Sequence, residues 1–194
     1  MKTLPPYPTS SVPDKNQVYL PREDTFLLLK AARRVIVPGD TVLEVGTGSG
    51  YIAAHIHPDF LTVATDINPH AVLLTKSRGV QVIRTDLTAG LKKVFSLVLF
   101  NPPYLPTLPD ERIEDWLEHA LDGGENGRDT VLQFCTVVKD VLSDSGRILV
   151  LISSLQKFRE CEELFANTGY FFSVIESEMM DDGETLRIYQ LTQK

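Results

Sequence analysis

Four consecutive residues, Asn101, Pro102, Pro103 and Tyr104, have types and an order that could do chemistry. The two prolines lack backbone donors and fix φ, so the chain is stiff and extended where it leaves the preceding apolar run. The Asn101 side-chain carbonyl and the Pro102 backbone carbonyl are both acceptors, and held rigidly they suit the two N–H bonds of a planar amine or amide. An amide nitrogen is a poor nucleophile because its lone pair is delocalised. Holding both hydrogens while planarity is relieved therefore helps only in the transition state. Tyr104 can close over such a group by stacking. No strong base is needed if the proton leaves after transfer, and His55, His57, His70 and His119 are read as surface or packing residues. The bland alternative is a proline-rich loop without chemistry.

Upstream, Glu44 is followed by Gly46, Gly48 and Gly50, an acidic residue running into a Gly-x-Gly-x-Gly turn that enters a helix. Glycines admit positive φ and close approach of a ligand. A nicotinamide loop would need glycine at the third position after Gly48, where Tyr51 stands, and Glu44 would repel a pyrophosphate. S-adenosylmethionine has no phosphate and carries an ammonium and a sulfonium, so it tolerates the carboxylate. Asp66, 22 residues after Glu44, can accept hydrogen bonds from two ribose hydroxyls, and Asp86 can meet an adenine amine. Glycines making only a tight turn, with acids capping helices, would not account for acids at the ends of three successive strands.

The elements that must position these groups follow from hydrophobic pattern. Thr41–Val45, Leu61–Asp66, 80–84, Phe95–Phe100 and 147–152 are expected strands, alternating with helix-length segments. That alternation favours a mostly parallel sheet covered on both faces. Segments 170–178 and 185–192 leave no room for a crossover and should form an antiparallel hairpin, giving an α/β sheet of seven strands. Glu23–Val35 suits a partly buried helix with Asp24 or Thr25 capping its start. The first 21 residues hold five of the twelve prolines and are expected to be an extended arm.

The 194 residues suit one domain, with 1–38 as arm and helix and 39–194 as the core. Cys135 and Cys161 lack metal-ligand spacing and read as reduced thiols in a cytoplasmic protein. Residues 1–16 hold no apolar core of signal-peptide length and no apolar run reaches about 18 residues, so a soluble, intracellular protein is expected. A net charge of −7 opposes a nucleic-acid partner held through phosphates.

With both motifs in place, the chain resembles the HemK/PrmC glutamine methyltransferases, and within them the short archaeal and eukaryotic branch. The resemblance runs through residues 18–29, 43–52, 64–69, 100–104, 123–128 and 184–188. It implies a class I methyltransferase fold and N5-methylation of the glutamine in the Gly-Gly-Gln motif of a class I translation release factor. It also implies cofactor contacts from Thr25, Glu44, Gly46, Asp66, Asp86 and Leu87, and substrate-amide contacts from Asn101 and Pro102. Longer bacterial members carry an N-terminal helical domain that grips the release factor. Here a small zinc-binding activator subunit is the implied substitute, and the expected edge strand 80–84, with Val80, Val82 and Ile83, is the surface that could pair with it. Segment 110–125, with seven acids against one arginine, reads as an active-site cover favouring a basic protein, or else as a solvated loop. The alternatives are N-methylation of an exocyclic amine of adenine or guanine, a non-catalytic binding subunit, and a nicotinamide-dependent oxidoreductase.

Overall fold

The structure, a computed structural model, describes residues 5, 10, 12–107 and 115–194. Seven strands, β1 (Thr41–Val45), β2 (Leu61–Asp66), β3 (Gln81–Arg84), β4 (Phe95–Phe100), β5 (Leu142–Ser153), β6 (Tyr170–Met179) and β7 (Thr185–Gln193), form one sheet in the order β3-β2-β1-β4-β5-β7-β6. The first five run parallel, and β7 pairs antiparallel with both β5 and β6. The expected parallel sheet with a terminal hairpin is what forms. The hairpin turn is closed by Met180 N–H donating to the Glu184 carbonyl at 2.7 Å.

Alternation along β4 decides which helices cover which face. Leu97 and Leu99 point to the layer of α1 (Glu23–Val35) and α2 (Tyr51–Ile56), whose Leu27, Leu28, Ala31, Ile52 and Ile56 are buried there. Val98 and Phe100 point to the opposite layer, against Val131, Phe134 and Cys135 of α5 (Asp129–Val137) and Cys161 and Phe165 of α6 (Phe158–Asn167). Each fully buried leucine contributes about 2 kcal/mol, so a one-residue slip of β4, which would exchange its faces, is strongly disfavoured. Helix α3 (Pro69–Ser77) packs on β2 and β3, and the single-turn α4 (Trp116–His119) lies against residues 15–17. Burial pushes the Cys135 and Cys161 thiols up to about 12, which leaves them as inert packing groups.

Several boundaries differ from the sequence reading. The expected strand 80–84 begins at Gln81, because Val80 is 4% exposed and packs on Ala53 and Ala64; it is unavailable for pairing at the edge. The fifth strand starts at Leu142 rather than at 147, through an irregular register in which Phe95 meets Leu142 and Leu97 meets Arg147. The arm is broken by a 3-10 turn at Lys15–Gln17, and Val18 is buried against Ala71 and Leu74. Thr25 reaches back to cap the start of α1, accepting from Arg22 N–H at 3.3 Å. Asp24 is turned elsewhere.

Candidate active site

The sheet reverses direction of winding between β1 and β4, so their connections diverge and leave a crevice beyond the carboxyl ends. Val45 pairs with Phe100, and the next residue on each strand, Gly46 and Asn101, opens into that crevice. The result is a cavity of about 760 Å³. Its wall brings together Thr25, Glu44, Gly46, Gly48, Asp66, Asp86, Leu87, Asn101, Pro102, Pro103 and Tyr104. Gly50 is not on this wall. It caps α2 in a left-handed conformation, φ 73°, where a Cβ would lie 2.6 Å from Thr75 Oγ1.

One side of the cavity is acidic. Glu44 is 4% exposed and shares the α2 face of β1 with Val42; its Oε2 accepts from Thr47 Oγ1 at 2.6 Å and from Ala53 N–H, in the first turn of α2, at 2.9 Å. Asp66 accepts from Gly48 N–H through Oδ2 and from Asn68 N–H through Oδ1, both at 2.8 Å. These bonds brace the glycine loop and leave further lone pairs on each carboxylate. Burial pushes Glu44 up to about 7 and Asp66 up to about 6, with the Asp66 charge adding to the rise at Glu44. Two such carboxylates, with no cation among their bonded partners in the described residues, suit a ligand bearing positive charge and hydroxyls. Beyond β3, Leu87 takes φ 47°, a conformation costly for a non-glycine residue, and with Asp86 lines the far end.

The other side is built on α1 and the exit of β4. Because Phe100 faces the α5 layer, alternation turns Asn101 to the α1 face, where its Nδ2 donates to Asp24 Oδ2 at 3.0 Å. Asn101 Oδ1 is buried and accepts no hydrogen bond among the described residues. Tyr104 is half-buried, and burial together with the nearby charges of Asp24 and Glu184 holds its phenol in the neutral form. His119 alone of the four histidines lines the cavity, beside Trp116.

Three supports were not apparent from the sequence. Asp24 lies 77 residues from Asn101, and only the packing of α1 on β4 joins them. Gln17 holds the arm down from both sides, its carbonyl accepting from Asn68 Nδ2 at 2.7 Å and its Oε1 from Trp116 N–H at 2.9 Å. The loop after α4 braces the 101–104 exit: Leu105 N–H donates to Leu121 O at 3.0 Å, and Gly123 N–H to Leu105 O at 2.9 Å. Of the acidic segment 110–125, residues 110–114 lie outside those described; Asp115 caps α4, accepting from Glu118 N–H at 2.8 Å, and 119–122 form cavity wall.

No family model matches the chain. A putative protein N5-glutamine methyltransferase of Methanocaldococcus jannaschii is 38% identical over 152 residues, covering 74% of this chain and 76% of that protein. Methyltransferase HEMK2 of Homo sapiens is 40% identical over 149 residues, covering 68% of this chain and 69% of the human one. Among solved structures, the E. cuniculi Mtq2–Trm112 complex, responsible for methylation of the eRF1 translation termination factor, aligns with a TM-score of 0.77 at 26% identity, over 92% of this chain and 99% of that one. Identity at this level, extending over about three quarters of both partners for the archaeal protein, places the chain in the family of S-adenosylmethionine-dependent protein N5-glutamine methyltransferases.

Proposed function

We propose that the chain methylates the side-chain nitrogen of the glutamine in the Gly-Gly-Gln motif of a class I translation release factor, in the cytoplasm. The observation that carries this is Asn101 Oδ1 at the end of β4, a buried acceptor with no partner among the described residues. A buried acceptor without a partner costs about 1–3 kcal/mol, and a substrate N–H that fills it recovers that energy. In this reading Asn101 Oδ1 and the Pro102 carbonyl take the two amide hydrogens, and Tyr104 covers the amide plane. S-adenosylmethionine supplies the methyl group as an electrophilic sulfonium. Thr25, Glu44, Gly46, Gly48, Asp66, Asp86 and Leu87 bind and orient it, the carboxylates matching its positive charge. Asn101 would hold the nitrogen as its lone pair leaves conjugation to form the N–C bond, the methyl–sulfur bond breaking to leave S-adenosylhomocysteine and the amide proton passing to solvent. The acidic balance of the chain, −7, favours a basic protein over nucleic acid as substrate.

The relative solved as a complex suggests a small activator subunit for this chain as well. The β3 edge, with Ile83 44% exposed, is the surface we assign to it, and a zinc-binding fold for that partner belongs to the same proposal.

The test is transfer of labelled methyl to the organism's class I release factor, with and without the activator, by wild-type protein and by Asn101→Ala. Label on the glutamine, reduced at least about 100-fold in kcat by Asn101→Ala with cofactor affinity kept, supports the reading. Label on RNA or DNA with none on the release factor overturns it in favour of base methylation.

A further inference from the structure

Asparagine alone is an ambiguous way to present an acceptor. Its amide is close to symmetric in shape, and a half-turn about the last side-chain bond exchanges a carbonyl oxygen for an NH2. An NH2 aimed at the substrate NH2 would set donors against donors. Something must therefore fix the rotamer.

The first turn of α1 supplies it. Asp24 is 3% exposed, and four donors converge on its two oxygens: Asn101 Nδ2 at 3.0 Å and Tyr19 Oη at 2.8 Å on Oδ2, Thr25 N–H at 2.5 Å and Thr25 Oγ1 at 3.1 Å on Oδ1. None of these contacts asks the carboxyl to donate, which is the pattern of a carboxylate. A reversed Asn101 amide would place its oxygen about 3 Å from Asp24 Oδ2, acceptor against anionic acceptor in a water-poor site.

Resting on the methylation reading above, we propose that Asp24, held by Tyr19 and Thr25, is a positioning residue that locks the Asn101 amide so that only its carbonyl oxygen faces the acceptor nitrogen. Its competing role would be as a direct ligand of the cofactor ammonium, since Asp24 also lines the cavity.

Two readouts test the assignment. The first needs no substrate: in the S-adenosylhomocysteine complex, the Asn101 side-chain NH2 resonances, identified by their loss in Asn101→Asp, should be shifted and protected from exchange. In Asp24→Ala they should move toward values for a free amide. Unchanged resonances in Asp24→Ala would overturn the proposal. The second is an exchange of partners. Asn101→Asp sets two carboxylates face to face and should lower kcat by at least about 100-fold. Adding Asp24→Asn to it restores a donor–acceptor pair in reverse and should recover about tenfold or more. A double variant no better than the single, or Asp24→Asn weakening S-adenosylhomocysteine binding as much as it lowers kcat, would sink it. If the wild type leaves the release factor unlabelled, the substrate reading fails while the resonance comparison still decides the role of Asp24.

Discussion

Glu44 and Asp66 are carboxyls whose folded pKa values, about 7 and about 6, lie above their ordinary ones. Between each group's unfolded and folded pKa the folded protein therefore binds more protons than the unfolded chain. Their contribution is therefore full below the unfolded pKa and is lost as pH rises through the folded one. In the cofactor-free protein each should cost on the order of 3 kcal/mol of stability between pH 4 and 8. Denaturant titrations at intervals across that range should show a falling component that Glu44→Gln flattens for its share. Cofactor affinity should move oppositely, tightening as pH rises from 5 to 8 while the two carboxylates ionise. Calorimetry in buffers of different ionisation heat should detect proton release on binding, and its absence would mean that both groups are already charged. Both acids were legible in the sequence, Glu44 because it runs into the Gly-x-Gly-x-Gly turn and Asp66 because it ends the next expected strand, 22 residues on. Their perturbation was not, since it arises from burial by α2 and by the loop itself. Asp24 went unrecognised for a similar reason: local pattern made it a helix cap, and its partner is 77 residues away.

At the level of elements, the strands were legible to within a residue or two wherever a short, mostly apolar run was bounded by turn residues, as in β1, β2 and β4. The start of β5 was missed because 142–146 pair only through the irregular register with Phe95. The loop after α4 was visible as a glycine-rich motif, but its use was not. Gly127 has φ 68°, and a Cβ there would lie 2.5 Å from the Tyr104 carbonyl oxygen. The glycine lets this loop press directly on the backbone of the 101–104 exit, and Gln156 Nε2 secures it by donating to Gly127 O at 2.6 Å. Gly127→Ala must move that backbone or adopt strain, at about 1–3 kcal/mol. The expected result is a lower melting temperature and a kcat reduced about tenfold or more, with S-adenosylhomocysteine affinity nearly unchanged. Loss of both activities in equal measure would instead indicate that the loop supports the whole crevice.

At the level of the whole molecule, the two edges of the sheet are unlike. β6 is long, and its Glu176 pairs with Lys30 and Arg34 of α1, whereas β3 is four residues long and leaves Ile83 outward with Leu61 exposed on the neighbouring strand. If the activator docks on β3, Ile83→Asp should abolish co-purification and the stimulation of methyl transfer while leaving unstimulated S-adenosylhomocysteine binding intact. Retained stimulation would move the partner elsewhere. That the third strand lies at a sheet edge was readable from the alternation of strands and helices, but which edge residues are exposed was not, and Val80 is the example. The direct pairing of Val45 with Phe100 has one more implication. The glycine loop and Asn101 therefore leave adjacent, paired strands about 4.8 Å apart. If Asn101 holds the acceptor nitrogen as proposed, sheet pairing and not surface loops sets its distance from the cofactor loop. Substitutions confined to surface loops should then alter substrate affinity before they alter turnover.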